Sequence, residues 1–171
     1  MALSNPNRKV VQATAGEALV HGDVVHLIMQ QSDTSDGSYT ATKYDSADAD
    51  IIFGTYGVVD SGISIASGDT VSCVVEGHCQ AKVYYESIDL TTGQFLLIAD
   101  GGTVPAADGC FCTDLSDTDA ATLPGNLDSS AKRLAFDSFC RAQNLESTTV
   151  SAAAASRLTW VRIFNNPATP S

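Results

Sequence analysis

Apolar and polar residues alternate with a period of two along much of this chain. In the longest such run, residues 71–83, the odd positions are apolar or small, and the even positions are polar except for Val74. This pattern predicts a strand with one buried face. Gly77 predicts a bulge or a turn within it. In a straight strand Cys73 and Cys79 would be roughly 20 Å apart, so only a hairpin at Gly77 would let them bond.

The same patterning predicts further strands on both sides of this run. Residues 23–31 contain an almost continuous apolar run, so that strand is expected to be covered on both faces. The other predicted strands are residues 10–15, 39–44, 51–60, 94–99, 131–145 and 157–164. Residues 131–145 also fit a helical period, but their aromatic and cysteine content favours a strand. The predicted fold is all-β: a small β-barrel or β-sandwich with long loops, in a single domain over residues 10–165. Residues 1–9 are predicted to form an N-terminal arm and residues 166–171 a C-terminal tail.

One short pattern occurs three times in the chain. An aliphatic residue and two further residues precede a glycine, which is followed by Asp or Gln, any residue and a second aliphatic residue. The copies are LVHGDVV at 19–25, IASGDTV at 65–71 and LTTGQFL at 90–96. Glycine permits the positive φ that a tight turn needs, and the aliphatic residues can anchor the turn to an apolar interior. Each copy therefore predicts an entry into a strand.

The net charge of −11 is unevenly distributed. Residues 10–131 carry 18 acidic and two basic side chains, whereas the rest of the chain carries seven basic and two acidic ones. An acidic middle repels phosphate backbones, so direct nucleic-acid binding is not expected. The basic residues near the chain ends could contact an acidic protein partner, and solvated charges without a partner are the alternative. No apolar run approaches the ~20 residues of a membrane span, so no membrane role is expected.

The sequence contains little catalytic chemistry. His21, His26 and His78 have no metal-ligand spacing, and no nucleophile elbow, phosphate-binding loop or dinucleotide motif occurs. A solvated acidic link explains Asp45, Asp48 and Asp50 better than a metal site does, and the same holds for Asp117 and Asp119. The five cysteines lack a CxxC and are interpreted mainly as buried apolar residues in a reducing cytoplasm, with one disulfide as the alternative. We therefore expect no enzyme activity, no cofactor and no metal.

Several of these segments, in order, resemble the tailed-phage capsid decoration proteins, also called cement proteins. They are AGEALVHGDVVHL at 15–27, FG at 53–54 leading into GVV at 57–59, and GDTV at 68–71 with a strand through Gly77. RAQNLE at 141–146, followed by a loop and LTWVRI at 158–163, is similar to the closing hairpin of that family. The resemblance implies a β-barrel-like virion protein, made in the host cytoplasm and bound to the outside of an expanded head. It also implies a homotrimer that braces the major capsid protein against internal pressure.

The predicted capsid-contacting residues are Arg8, Lys9, Val10 and Val11. The polar arm of residues 1–9, which includes Arg8 and Lys9, has too few apolar residues to form its own core, so we expect it to lie along a neighbouring subunit. The long loop of residues 100–130 is the alternative docking surface. A virion-surface ligand- or sugar-binding β module is the alternative function, with stacking surfaces from Tyr39, Tyr44, Tyr56, Tyr84 and Tyr85. A small β-rich hydrolase is a third.

Overall fold

The computed structural model describes residues 8–29, 38–43, 55–85, 90–98, 108–112, 142–147 and 155–164. Over these residues the fold is all-β, as predicted. The strands are β1 (Lys9–Ala15), β2 (Val24–Met29), β3 (Tyr39–Lys43), β4 (Thr55–Val59), β5 (Thr70–Tyr85), β6 (Phe95–Ile98), β7 (Phe111–Cys112), β8 (Ala142–Asn144) and β9 (Ala155–Ile163). No helix in this part of the chain is long and apolar enough to cross a bilayer.

The strands close into two barrels that share β5. In the first barrel the order is β1-β3-β2-β4-β5, closed by pairing of β1 with β5. In the second the order is β5-β7-β6-β8-β9, closed by pairing of β9 with β5. The 16-residue β5 contributes its first half to one barrel and its second half to the other. Closure satisfies strand edges that would otherwise be open to pairing with another chain.

Each barrel has its own hydrophobic core, and β5 supplies both. Its residues Val71, Cys73 and Val75 belong to the first core. Its residues Cys79, Ala81 and Val83 belong to the second. The predicted alternation along this strand is therefore confirmed, although Val74 and Tyr84 are buried on the opposite face as well.

The second core also covers part of the outside of the first barrel. Val24, Tyr56, Val58 and Val74 all belong to the second core, although their strands form the first barrel. This explains why β2 is apolar on both faces, since Val24 is fully buried in the second core and its neighbour Val25 in the first. The expected double coverage does not extend to the end of β2, where Ile28 and Met29 are 45% and 54% exposed.

Gly77 lies inside β5 with φ of 104°, and the strand continues past it. The pairing with β1 shifts register just before Gly77, at Val75, because Lys9 faces Glu76 while Val10 faces Val74. One residue of β5 is thus extra, which is a β-bulge and not a hairpin. Cys73 and Cys79 accordingly lie in different cores, and both are free thiols.

Two predictions about the second half of the chain have different outcomes. Of the strand predicted over residues 131–145, the structure describes only 142–145, and β8 lies within that part. The two-residue strand β7 was not predicted; it pairs with β5 and β6 and places Phe111 in the second core. The acidic link at 45–50 lies outside the described residues, as does the loop 100–130 except for residues 108–112.

Candidate functional site

Three tight turns carry the repeated glycine pattern, and all three share one geometry. In each, the residue after the glycine donates its N–H to the carbonyl three residues earlier, at 3.1 to 3.2 Å. The glycines Gly22, Gly68 and Gly93 have φ of 85°, 90° and 86°. Positive φ at the third residue is what a type II turn requires, and glycine adopts it without steric cost. The predicted role of these glycines is confirmed.

Each turn is also joined to a neighbouring strand by the same pair of hydrogen bonds. The glycine N–H donates to a partner carbonyl, and the partner N–H donates to the carbonyl of the residue after the glycine. The partners are Val59 for Gly22, Ala15 for Gly68 and Asn144 for Gly93, with N···O distances of 2.7 to 2.9 Å. The pattern therefore encodes a turn together with its attachment to a strand.

Asp23, in the first turn, is a fully buried carboxylate where the two barrels meet. Its Oδ1 accepts a hydrogen bond from Lys82 Nζ at 2.5 Å, and its Oδ2 accepts one from the Val20 N–H at 2.8 Å. Lys43 Nζ lies 4.0 Å from Oδ2. The Lys82 N–H also donates to the Gly22 carbonyl at 2.8 Å. A buried carboxylate is tolerated only when it is paired and hydrogen-bonded, so this cluster links the first turn to the second half of β5.

The predicted contact residues Arg8 and Lys9 already have partners within the chain. The Arg8 guanidinium donates to the Asp60 carboxylate. Lys9 Nζ lies 2.5 Å from Glu76 Oε2, and both side chains are largely in solvent. An acidic partner would have to compete with these two carboxylates for the basic groups.

Val10 and Val11 lie next along β1 and face opposite sides of it. Val10 is 45% exposed, whereas Val11 packs against the first core. Of the predicted apolar contact residues, Val10 therefore presents the larger accessible surface. Its exposed position is compatible with contact to a neighbouring molecule.

The histidines are placed as structural or solvated side chains. His21 Nε2 lies 3.4 Å from Gln80 Oε1, the His26 ring packs near Tyr56, and His78 is exposed on β5. Within the described residues no group of three or more His, Cys, Asp or Glu could hold a metal ion. The aspartate runs at 45–50 and 117–119 lie outside those residues, so the absence of a metal remains a prediction.

The described thiols are buried, and burial raises their pKa. The pKa of Cys73 and of Cys79 is raised to about 12, and that of Cys110 to about 11. Reactive cysteines need a thiolate near neutral pH. These three thiols stay protonated there, so they serve as apolar packing groups.

This burial predicts a loss of stability in alkali. Unfolded thiols ionise near pH 9.0, whereas the folded protein retains the protons, so stability is full below pH 9 and falls as the pH rises toward 12. At pH 10 each buried thiol is expected to cost about 1.4 kcal/mol of unfolding free energy. Urea unfolding at pH 8 and pH 10 measures this. Cys73→Ala should show a smaller difference between the two pH values than the wild type, and an equal difference would contradict the assignment.

The tyrosines proposed as stacking surfaces mainly pack in the interior. Tyr56 and Tyr84 are buried, and Tyr39 and Tyr85 pack against the two cores. Tyr44 lies outside the described residues. The gap between the barrels has room for no more than about one water molecule. Its lining is Tyr56, Gly57, Val58, Val75, Phe111, Ile163 and Phe164.

The outer side of the second barrel carries an exposed aromatic and basic patch that sequence analysis did not identify. We call it the β9 face; it comprises the exposed Phe95, Leu158, Trp160 and Arg162 and the half-buried Phe164, with His78 on β5 and Gln143 on β8 beside Arg162. Leu158, Trp160 and Phe95 are 42%, 44% and 47% exposed. The Arg162 guanidinium lies 5.7 Å from the Phe164 ring centroid, and that ring lies 6.5 Å from Phe95. The alternation of residues 158, 160 and 162 along β9 was the available signal.

Comparison with known proteins gives resemblance at the level of solved structures. No family model matches the chain, and no curated protein matches it. A solved structure, the N base of head fiber gp8.5 in bacteriophage phi29, aligns over 94% of this chain and 97% of its own length, with a TM-score of 0.45 and 14% identity. At this level of similarity the match does not assign a function to this chain.

Proposed function

We propose that this chain is a capsid decoration protein of a tailed phage, bound to the outside of the assembled head through the major capsid protein. The observation that carries the proposal is the turn-and-strand pattern on which the sequence resemblance rests. Its glycines form the two type II turns of the first barrel, at Gly22 and Gly68. Its closing segment forms the antiparallel pair β8–β9 of the second barrel. The motif residues are therefore those that shape the fold.

In this function the protein acts by binding in many copies and not by catalysing a reaction. A molecule that binds the assembled lattice but not the free subunit stabilises the lattice, and many copies each add a modest contribution. We propose a homotrimer as the bound form. The two closed barrels suit this role. Described strands whose edges are already paired do not form intermolecular sheets when many copies lie close together on a head. No catalysis, cofactor or nucleic-acid contact is part of the proposal.

Co-sedimentation with empty expanded heads of the virus that encodes the chain tests this function. We expect saturable binding to expanded heads, no binding to unassembled capsid subunits, and a higher temperature of head rupture in the decorated particles. A control with heads before expansion should show weaker binding if the site is created by the expanded lattice. Failure to bind expanded heads, or binding without any rise in rupture temperature, would contradict the cement role.

A further inference from the structure

The described basic groups of the first barrel and the barrel junction each have a carboxylate nearby within the chain. Arg8 pairs with Asp60, and Lys9 pairs with Glu76. Lys82 and Lys43 both lie against Asp23. Because a carboxylate already lies close to each of these basic groups, an acidic partner would gain less binding free energy by contacting them.

Arg162 on the β9 face differs from those four residues. In the part of the chain that the structure describes, no carboxylate lies within ion-pair distance of its guanidinium, which rests against Phe164. Glu146 at the border of the face is engaged with β9 itself, since its Oε2 accepts hydrogen bonds from Thr159 Oγ1 at 3.1 Å and from the Trp160 N–H at 3.2 Å. Among the described residues, Arg162 is thus a positive charge without a carboxylate partner; aromatic Trp160 and Phe164 lie two residues away on either side of it along the chain, and polar His78 and Gln143 lie beside it on the neighbouring strands.

We propose that the β9 face docks an acidic protein surface, with Trp160 and Phe95 as apolar anchors and Arg162 as the charged contact. Tryptophan, phenylalanine and arginine are enriched at protein interfaces, and tryptophan and arginine are frequent hot spots. A guanidinium near an aromatic ring gains a cation–π contact and still presents its planar donor fork to a carboxylate. Charge complementarity identifies the partner surface as acidic. The inference rests on the proposed function, in which that surface belongs to the capsid lattice.

Two arginines on the same strand provide a matched test of this face. Arg162 lies on the outward side of β9, whereas Arg157 has the parity of the inward positions and lies near the end of the strand. Arg162→Glu and Arg157→Glu change the net charge equally. In head co-sedimentation we expect Arg162→Glu to weaken attachment about tenfold or more, and Arg157→Glu to have a much smaller effect. Wild-type attachment should also fall as salt rises.

The apolar anchors have a matched control as well. Trp160→Ala is expected to weaken attachment about tenfold or more. Ile63→Ala removes a side chain that is 73% exposed but distant in sequence from the β9 face, and should leave attachment unchanged. Circular dichroism melting checks that each variant is folded, and sedimentation velocity of the free protein reports its oligomeric state.

The possible outcomes separate the two proposals. If wild-type protein does not bind heads, the proposed function and this docking face are both wrong. If wild type binds and folded Arg162→Glu and Trp160→Ala bind equally well, only the docking face is wrong. Loss of binding in Arg8→Glu/Lys9→Glu but not in Arg162→Glu would place docking on β1 instead. If Arg162→Glu dissociates an oligomer of the free protein, the β9 face joins copies of this chain, and the acidic-partner proposal is overturned.

Discussion

Gly22→Val is expected to lower the free energy of unfolding by roughly 3–5 kcal/mol. Two effects add at this position. A β-branched residue is strained at φ of 85°. In addition, a Cβ atom there would lie 2.2 Å from Leu158 Cδ2 and 3.4 Å from the backbone nitrogen of Lys82. The turn packs directly on the second barrel, so the Leu158 side chain would have to turn away from the added atoms and give up its packing against the turn. Urea unfolding at neutral pH measures the loss.

Gly68→Val is the matched control for this prediction. Gly68 occupies the same position in an equivalent turn, with φ of 90°. A Cβ atom there would meet no atom within 4 Å. The control therefore isolates the backbone strain, which is expected to cost about 1–3 kcal/mol. Equal losses in the two variants would show that contact between the first turn and the second barrel contributes nothing to stability.

The type II turns and strands were predictable because their determinants are local. Glycine followed by Asp or Gln, with flanking aliphatic residues, forms a positive-φ turn at all three of its copies in this chain. The alternation in β5 indicates which of its side chains share a face. The sharing of β5 between two barrels was not predictable. It depends on the register shift at Lys9 and Val10 and on which strands close each ring. Those pairings join distant segments, and a period of two carries no information about the partner strand.

The candidate site was predicted less well for the same reason. Arg8 and Lys9 were identified as available charges from their position near the chain terminus. Asp60, the partner of Arg8, lies 52 residues away, and no local pattern marks it as a partner. The β9 face is encoded by alternation at residues 158, 160 and 162, but exposure of that side depends on the second core, which buries the other side at Val161 and Ile163. The alternation in the sequence distinguishes the two faces of β9 but does not indicate which one is exposed.

Asp23 is the residue whose environment in the structure differs most from what its place in the sequence suggests. In the sequence it is the polar residue after a turn glycine, a position that is usually solvated. In the structure it is fully buried and paired with Lys82, which is 59 residues away. Because the two residues lie on either side of the barrel junction, their interaction is a candidate for holding the barrels in a fixed relation.

Asp23→Ala is therefore expected to lower the free energy of unfolding by about 3 kcal/mol or more. The substitution leaves the Lys82 ammonium without its carboxylate, removes the negative charge near Lys43, and leaves the Val20 N–H without its acceptor. Because the lysine side chains are partly exposed, solvent can relieve part of this cost. Urea unfolding monitored by far-ultraviolet circular dichroism measures the loss.

The comparison variant is Glu76→Ala, which removes the carboxylate paired with Lys9 at the surface. Exposed ion pairs typically contribute about 0–1 kcal/mol, so this variant should remain close to the wild type. Asp23→Asn separates charge from hydrogen bonding, since the amide oxygen can still accept from Val20 while the attraction to Lys82 is reduced. We expect its stability to lie between those of the wild type and Asp23→Ala. If Asp23→Ala is no less stable than Glu76→Ala, the buried carboxylate does not hold the barrels together, and apolar packing of Val24, Val58 and Val74 against the second core must do so alone.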